Sequence, residues 1–239
     1  MSGMRKIGFL LISLAMFLSC ASMSTEERLQ KASAHYQLGK SYLNNNNIQP
    51  AFVEFQKALE LDPDHKESHN ALGILYFQKL ENYPTAIEHF REALNIDNNF
   101  SEAENNMGNA YAKTGQFDKA IAAYTRAVSN PLYKNASLAL NNLAMLYYRL
   151  SKYDKALDTF KEALKRFSEF ALPYYGLALC YNAMGQYGDA AMAISHAIEY
   201  DQVYRGDREK AREDLDERRL TATGEELKDV NDYLDILRY

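Results

Sequence analysis

The sequence predicts an all-α protein of five stacked helix pairs closed by a helical cap, on three observations. The pattern Ala-x-x-x-Phe-x-x-Ala recurs as Ala51/Phe55/Ala58, Ala86/Phe90/Ala93, Ala120/Tyr124/Ala127, Ala156/Phe160/Ala163 and, with Ile194 in the aromatic place, Ala190/Ile194/Ala197, at intervals of 35, 34, 36 and 34 residues. About twelve residues earlier stands a second set: Leu38-Gly39 with Tyr42, Leu72-Gly73 with Tyr76, Met107-Gly108 with Tyr111, Leu143-Ala144 with Tyr147 and Leu177-Ala178 with Tyr181. Turn formers at Asn44 to Asn47, Asp62-Pro63, Thr114-Gly115 and Met184-Gly185 separate the apolar periodic runs. A period of this length means that each unit buries its apolar face against its neighbours, so 239 residues can form one elongated array.

The amino terminus reads as an address. Arg5 and Lys6 precede Ile7 to Leu18, apolar apart from Gly8 and Ser13 and shorter than the roughly 20 residues that span a bilayer, so residues 1–19 read as a secretory signal and 20–31 as a linker. The apolar run ends in Phe17-Leu18-Ser19-Cys20, which resembles a bacterial lipoprotein signal. The resemblance implies that Cys20 becomes the lipidated first residue, that the membrane is engaged through this anchor only, and, since Ala21 follows, that the protein faces the periplasm from the outer membrane. Ordinary signal cleavage, giving a soluble periplasmic protein, stays open.

Composition limits what the chain can do. An apolar fraction of 47% with 18 tyrosines and 5 prolines suits a packed helical core. The formal charge is -5, and removing the signal leaves 25 cations against 32 carboxylates, a balance that disfavours nonspecific nucleic-acid binding. Cys180, in the run Gly176-Leu-Ala-Leu-Cys-Tyr, reads as a small buried hydrophobe. His65 and His69 stand four apart, but no third ligand has useful spacing, and His69 occupies a packing position equivalent to His35. With no Gly-rich phosphate loop, no Gly-x-Ser-x-Gly elbow and no paired carboxylates, the expectation is no enzyme, no metal and no cofactor.

Within each unit the small residues at Gly39, Gly73 and Gly108 let two helices approach, and Phe55, Phe90, Tyr124 and Phe160 are expected to fill the space between repeats. Repeats cover residues 32–204. In 205–239, Leu227, Val230, Leu234 and Leu237 form a stripe that would cover the last repeat, either as capping helices or as a degenerate sixth repeat.

These motifs resemble the tetratricopeptide repeat, which implies a right-handed superhelix whose first helices line a concave, peptide-binding groove. Carried onto this sequence, the inward positions are Tyr36, Asn70, Asn105, Asn141 and Tyr175; Lys40, Ile74, Asn109 and Met145; Phe77, Tyr148 and Arg149. Asparagine is a poor helix former, so the Asn70/Asn105/Asn141 series calls for a reason. Its amides either pair with the main chain of a bound peptide or bond the neighbouring helix and stiffen the array. Between the third and fourth repeats the period lengthens by two, at Asn130-Pro-Leu-Tyr-Lys-Asn-Ala-Ser. Together with the signal, this resembles the type IV pilus biogenesis lipoproteins, the pilotins. That resemblance implies a scaffold that holds secretin subunits in the groove and promotes their assembly at the outer membrane. A generic periplasmic adaptor for another envelope complex is the alternative.

Overall fold

In the computed structural model, residues 23–239 are described; the signal segment and Cys20 lie outside them. Twelve α-helices and no strand form among the described residues, and no helix there is long and apolar enough to cross a membrane. Helices α1 (Thr25–Asn44) and α2 (Ile48–Leu61) pair, followed by α3 (Lys66–Gln78) with α4 (Tyr83–Ile96), α5 (Ser101–Lys113) with α6 (Phe117–Ser129), α7 (Ala136–Arg149) with α8 (Tyr153–Arg166), and α9 (Ala171–Ala183) with α10 (Tyr187–Tyr200). Two charged helices end the chain, α11 (Arg208–Arg219) and α12 (Gly224–Ile236). The chain divides inside α3, after Ser68, into two compact units.

Local chemistry sets the helix boundaries. Ser24 caps α1 by accepting from the Glu27 N–H at 3.1 Å, Asn82 caps α4 from the Thr85 N–H at 3.3 Å, and Asp207 caps α11 from the Lys210 N–H at 3.0 Å. Each hairpin turn places one residue in the left-handed region, at Asn46, Glu81, Gly115, Ser151 and Gly185, with φ between 49° and 73°. Glycine adopts that conformation freely, whereas Glu81 and Ser151 accept it at a cost of about 1 kcal/mol each.

The N-terminal unit is a hairpin in which the Phe55 ring sits against Gly39; a Cβ there would come within 2.6 Å of the ring. Glu54, buried on the same hairpin, meets His35 Nδ1 at 2.5 Å and Lys57 Nζ at 2.7 Å, bonds that hold its carboxyl below the usual range. In the C-terminal unit, Phe90 and Tyr124 likewise press on Gly73 and Gly108 of their own hairpins, at 2.5 and 2.7 Å from an added Cβ. These rings were expected between repeats; they also fill the hairpins themselves, because only glycine leaves room for an aromatic so near the backbone.

Repeat four departs from this pattern. Ala144 replaces the glycine, and the Phe160 ring instead meets Gly176 of the next repeat, 2.1 Å from where a Cβ would stand. Beyond it, Ala211, Leu215, Val230, Leu234, Ile236 and Leu237 of the last two helices join one core with Phe160, Ile194 and Ile198. Cys180 is enclosed there, and burial pushes its thiol up to about 12.

Candidate functional site

Within the C-terminal unit, the first helices α3, α5 and α7 bring part of the expected groove together. Phe77, Asn109, Met145 and Arg149 line one cavity of about 540 Å³, with Ala112, Lys113 and Asn142 beside them. Its apolar floor can take a hydrophobic side chain, while Lys113 and the two amides supply polar contacts at its edge. Asn109 is held in place by Tyr124, whose hydroxyl donates to Asn109 Oδ1 at 2.7 Å. Periodicity singled out neither Asn142 nor Glu225 of α12, which also lines this space. Asn142 was legible as the second of the Asn141-Asn142 pair, but Glu225 gave no signal.

Four of the expected groove residues are corrected in their surroundings. Asn70 and Asn105 are buried and bond the neighbouring first helix: Asn106 Nδ2 donates to Asn70 Oδ1 at 3.0 Å, and Asn142 Nδ2 donates to Asn105 Oδ1 at 3.1 Å. Of the two readings of the asparagine series, the structure shows the inter-helix one at these positions. Asn141 is equally buried, yet its Oδ1 has no hydrogen-bond partner. The partner position in the next repeat is Gly176, whose lack of a side chain is demanded by Phe160. Ile74 faces the apolar cluster of Ile87, Phe90 and Met107 instead of open space.

Tyr148, Arg149 and Tyr175 were expected in an open groove; the protein's own α12 lies on all three. Arg149 donates to both oxygens of Asp229, from Nη1 at 2.8 Å, and meets Glu225 at 2.7 Å through Nε. The Tyr175 ring meets Tyr233 edge-on at 5.5 Å, Lys228 sits over the Tyr148 ring, and Asn182 donates to Asp232 at 3.4 Å. Burial, with Asp229 and Asp232 nearby, pushes the Tyr148 hydroxyl upward; the hydroxyl has no hydrogen-bond partner. Helix α12 thus buries Val230 and Leu234 of the apolar stripe, with Leu237 at its end, in the core while its polar residues cover the first-helix face of repeats four and five, because Glu225 and Asp229 at four-residue spacing match one guanidinium.

The remaining expected residues, Tyr36 and Lys40, belong to the N-terminal unit. Tyr36 is half-buried against Phe55 and His65, with ring centroids at 5.8 and 5.1 Å, and the Lys40 ammonium lies 5.5 Å above the Tyr36 ring. In the C-terminal unit, His69 Nδ1 meets Nδ1 of His89 at 3.1 Å. Burial, and then His69, lower His89 to about 4.

Tetratricopeptide-repeat profiles match residues 32–65, 64–130, 99–169 and 141–199, together well over half of the chain. The chain belongs to the tetratricopeptide-repeat family. Among curated proteins it is similar to the type IV pilus assembly protein PilF of Pseudomonas aeruginosa, 37% identical over 54 residues. That stretch is 23% of this chain and 21% of PilF, so the match spans about a fifth of the relative's length. Among solved structures, that of Pseudomonas aeruginosa PilF is similar with a TM-score of 0.66 and 23% identity, over 85% of this chain and 98% of the other. PilW, described as a widely conserved type IV pilus biogenesis factor, has a TM-score of 0.66 and 22% identity over 83% and 97%. YrrB, a repeat protein with an unusual peptide-binding site, has a TM-score of 0.55 and 23% identity over 77% and 95%. At these identities the structural likeness shows the fold.

Proposed function

We propose that this chain is a non-enzymatic protein-binding scaffold of type IV pilus biogenesis that promotes secretin assembly at the outer membrane. In this reading it holds a secretin segment on the first-helix face and is anchored by lipid on Cys20. One observation carries the binding role: Phe77, Ala112 and Met145 form an apolar floor beside Lys113, Asn109 and Asn142 in a cavity that the protein's own helices leave open. An apolar side chain seats in the floor, and the amides and ammonium orient the main chain or a carboxylate next to it. The pilus assignment draws on the likeness to PilF and PilW and on the Asn130-Pro-Leu-Tyr irregularity.

Recovery of secretin multimers from solubilised outer membranes tests it. The wild-type chain is expected to retain multimers, and the Phe77→Ser/Met145→Ser variant to lose them while keeping its helix content. Secretin absent from the wild-type preparation would favour the generic periplasmic adaptor. Mass spectrometry of the mature amino terminus tests the anchor: a diacylglyceryl group on Cys20 supports it, and an unmodified terminus beyond residue 20 removes it.

A further inference from the structure

Two departures from the repeat pattern meet at one surface that the groove reading does not use. After α2, α4, α6 and α10 the loop opens with Asp62, Asp97, Asn130 and Asp201, and each side chain accepts from the N–H two residues on, at 3.2, 3.0, 3.0 and 2.8 Å. This bond pins the loop. After α8 the same position is Phe167, which cannot make that bond and stands 54% exposed, stacked on Phe170 at 5.9 Å. The other departure is the two-residue insertion before α7. Asn130 ties it down from both sides, donating to Ser101 Oγ at 3.0 Å and accepting from the Leu132 N–H, and so Leu132 is held outward, 85% exposed.

The two loops enclose a cavity of about 690 Å³ lined by Pro131, Tyr133, Leu138, Phe167, Phe170 and Leu172. Among the described residues, Lys134 and Arg166 are the charged side chains that line it, a cationic rim on a chain whose formal charge is -5. Arg166 shares Glu162, 3.8 Å from its Nε, with Lys165 at 3.4 Å, so two cations stand against one carboxylate there, and Lys134 is exposed. A loop that gives up a stabilising turn to display an aromatic, across a cavity from a pinned loop that presents Pro131 and Tyr133, is organised for contact and not for folding.

We propose that this cavity, formed by the loops after α6 and α8, is a second docking site, for a segment of a partner protein that presents an apolar side chain next to one or more carboxylates. The apolar side chain enters between Tyr133, Phe167 and Leu172, and the carboxylates lie over Lys134 and Arg166. The site shares no lining residue with the cavity around Phe77 and Met145: it takes in the first turns of α7 and α9, and it binds independently of that cavity.

The probe is a random dodecamer peptide library displayed on phage, panned on the full chain after depletion on its Phe167→Asp variant. That substitution restores the residue found in the other loops, so its melting temperature is expected to equal or exceed the wild type. Enriched peptides should combine Leu, Phe or Met with Asp or Glu. By calorimetry they should bind the wild type and lose about tenfold or more in affinity with Phe167→Asp, Tyr133→Ser or Lys134→Glu. Phe77→Ser/Met145→Ser should bind them unchanged. No enrichment, peptides without carboxylates, or equal binding to these loop variants overturns the proposal. Two further outcomes also overturn it. One is binding to phosphatidylglycerol vesicles that depends on Phe167 without any peptide selected, which makes the surface a membrane face. The other is a wild-type dimer in sedimentation that Phe167→Asp converts to monomer, which makes it a contact between two copies.

Discussion

The first-helix face of repeats two and three and that of repeats four and five are built from the same positions yet reach opposite ends. In the former, Asn70–Asn106 and Asn105–Asn142 couple neighbouring helices, the second reaching into repeat four, and the face beside them stays open around Phe77 and Asn109, with Met145 of repeat four at its border. In the latter the amide series stops at Asn141, Tyr148 is buried with an unpartnered hydroxyl, and α12 covers Arg149 and Tyr175. Two small differences accompany this. Ala144 stands where the earlier repeats have glycine, and the Phe160 ring lies on Gly176, which has no amide to give Asn141. Equivalent positions of a repeat array can therefore serve different surfaces while the hairpins themselves keep the same pairing.

Gly176→Val should break the C-terminal part of this comparison most severely. Its added atoms start 2.1 Å from the Phe160 ring, and overpacking of this kind is expected to cost about 3 kcal/mol, read as a fall in melting temperature. Arg149→Met comes next. It leaves Asp229, which is largely covered, without its partner, at about 2 kcal/mol; hydrogen exchange should show α12 opening while α5 and α6 keep their protection. Sharpest, though smaller, is the asparagine pair of substitutions. Asn142→Ala leaves Asn105 Oδ1 buried without a donor and should cost about 1.5 kcal/mol, whereas Asn141→Leu removes an unpartnered acceptor and should be neutral or stabilising. Equal losses from the two in chemical denaturation would show that Asn141 is satisfied and that the amide series does not end there.

The smallest effect is a pH dependence confined to repeat two. His89 is lowered from 6.5 to about 4 by burial and by His69, so between those values the unfolded chain binds the extra proton. Its stabilising contribution is complete above pH 6.5 and is lost as the pH falls toward 4, by about 1 kcal/mol once partial exposure is allowed for. His89→Gln should flatten that part of the melting-temperature profile. A profile identical to wild type would place the sensitivity in other groups.

Much of the fold was legible because its causes are local. Alanine and aromatic spacing marks the face that each second helix buries, and Thr114-Gly115 and Met184-Gly185 mark turns that need a left-handed residue. The turns at Glu81 and Ser151 left no such mark, since the surrounding hairpin imposes the same backbone on residues that do not favour it. For the candidate site, the sequence identified Phe77, Asn109, Met145 and Arg149, all of which line the cavity. It did not distinguish an amide facing outward from one paired across 36 or 37 residues, because both occupy the same helical position.

By itself, then, the sequence determined the helices, their period, their small-residue contacts and the irregular loop at Asn130, all of which follow from patterns within a few turns of chain. Only the tertiary structure decided where Phe160 turns, which asparagines find partners, and that α12 lies across the first-helix face of the last two repeats. These depend on residues as much as 80 positions apart, such as Arg149 and Asp229, and the match of a guanidinium to two carboxylates on another helix leaves no periodic trace in either segment.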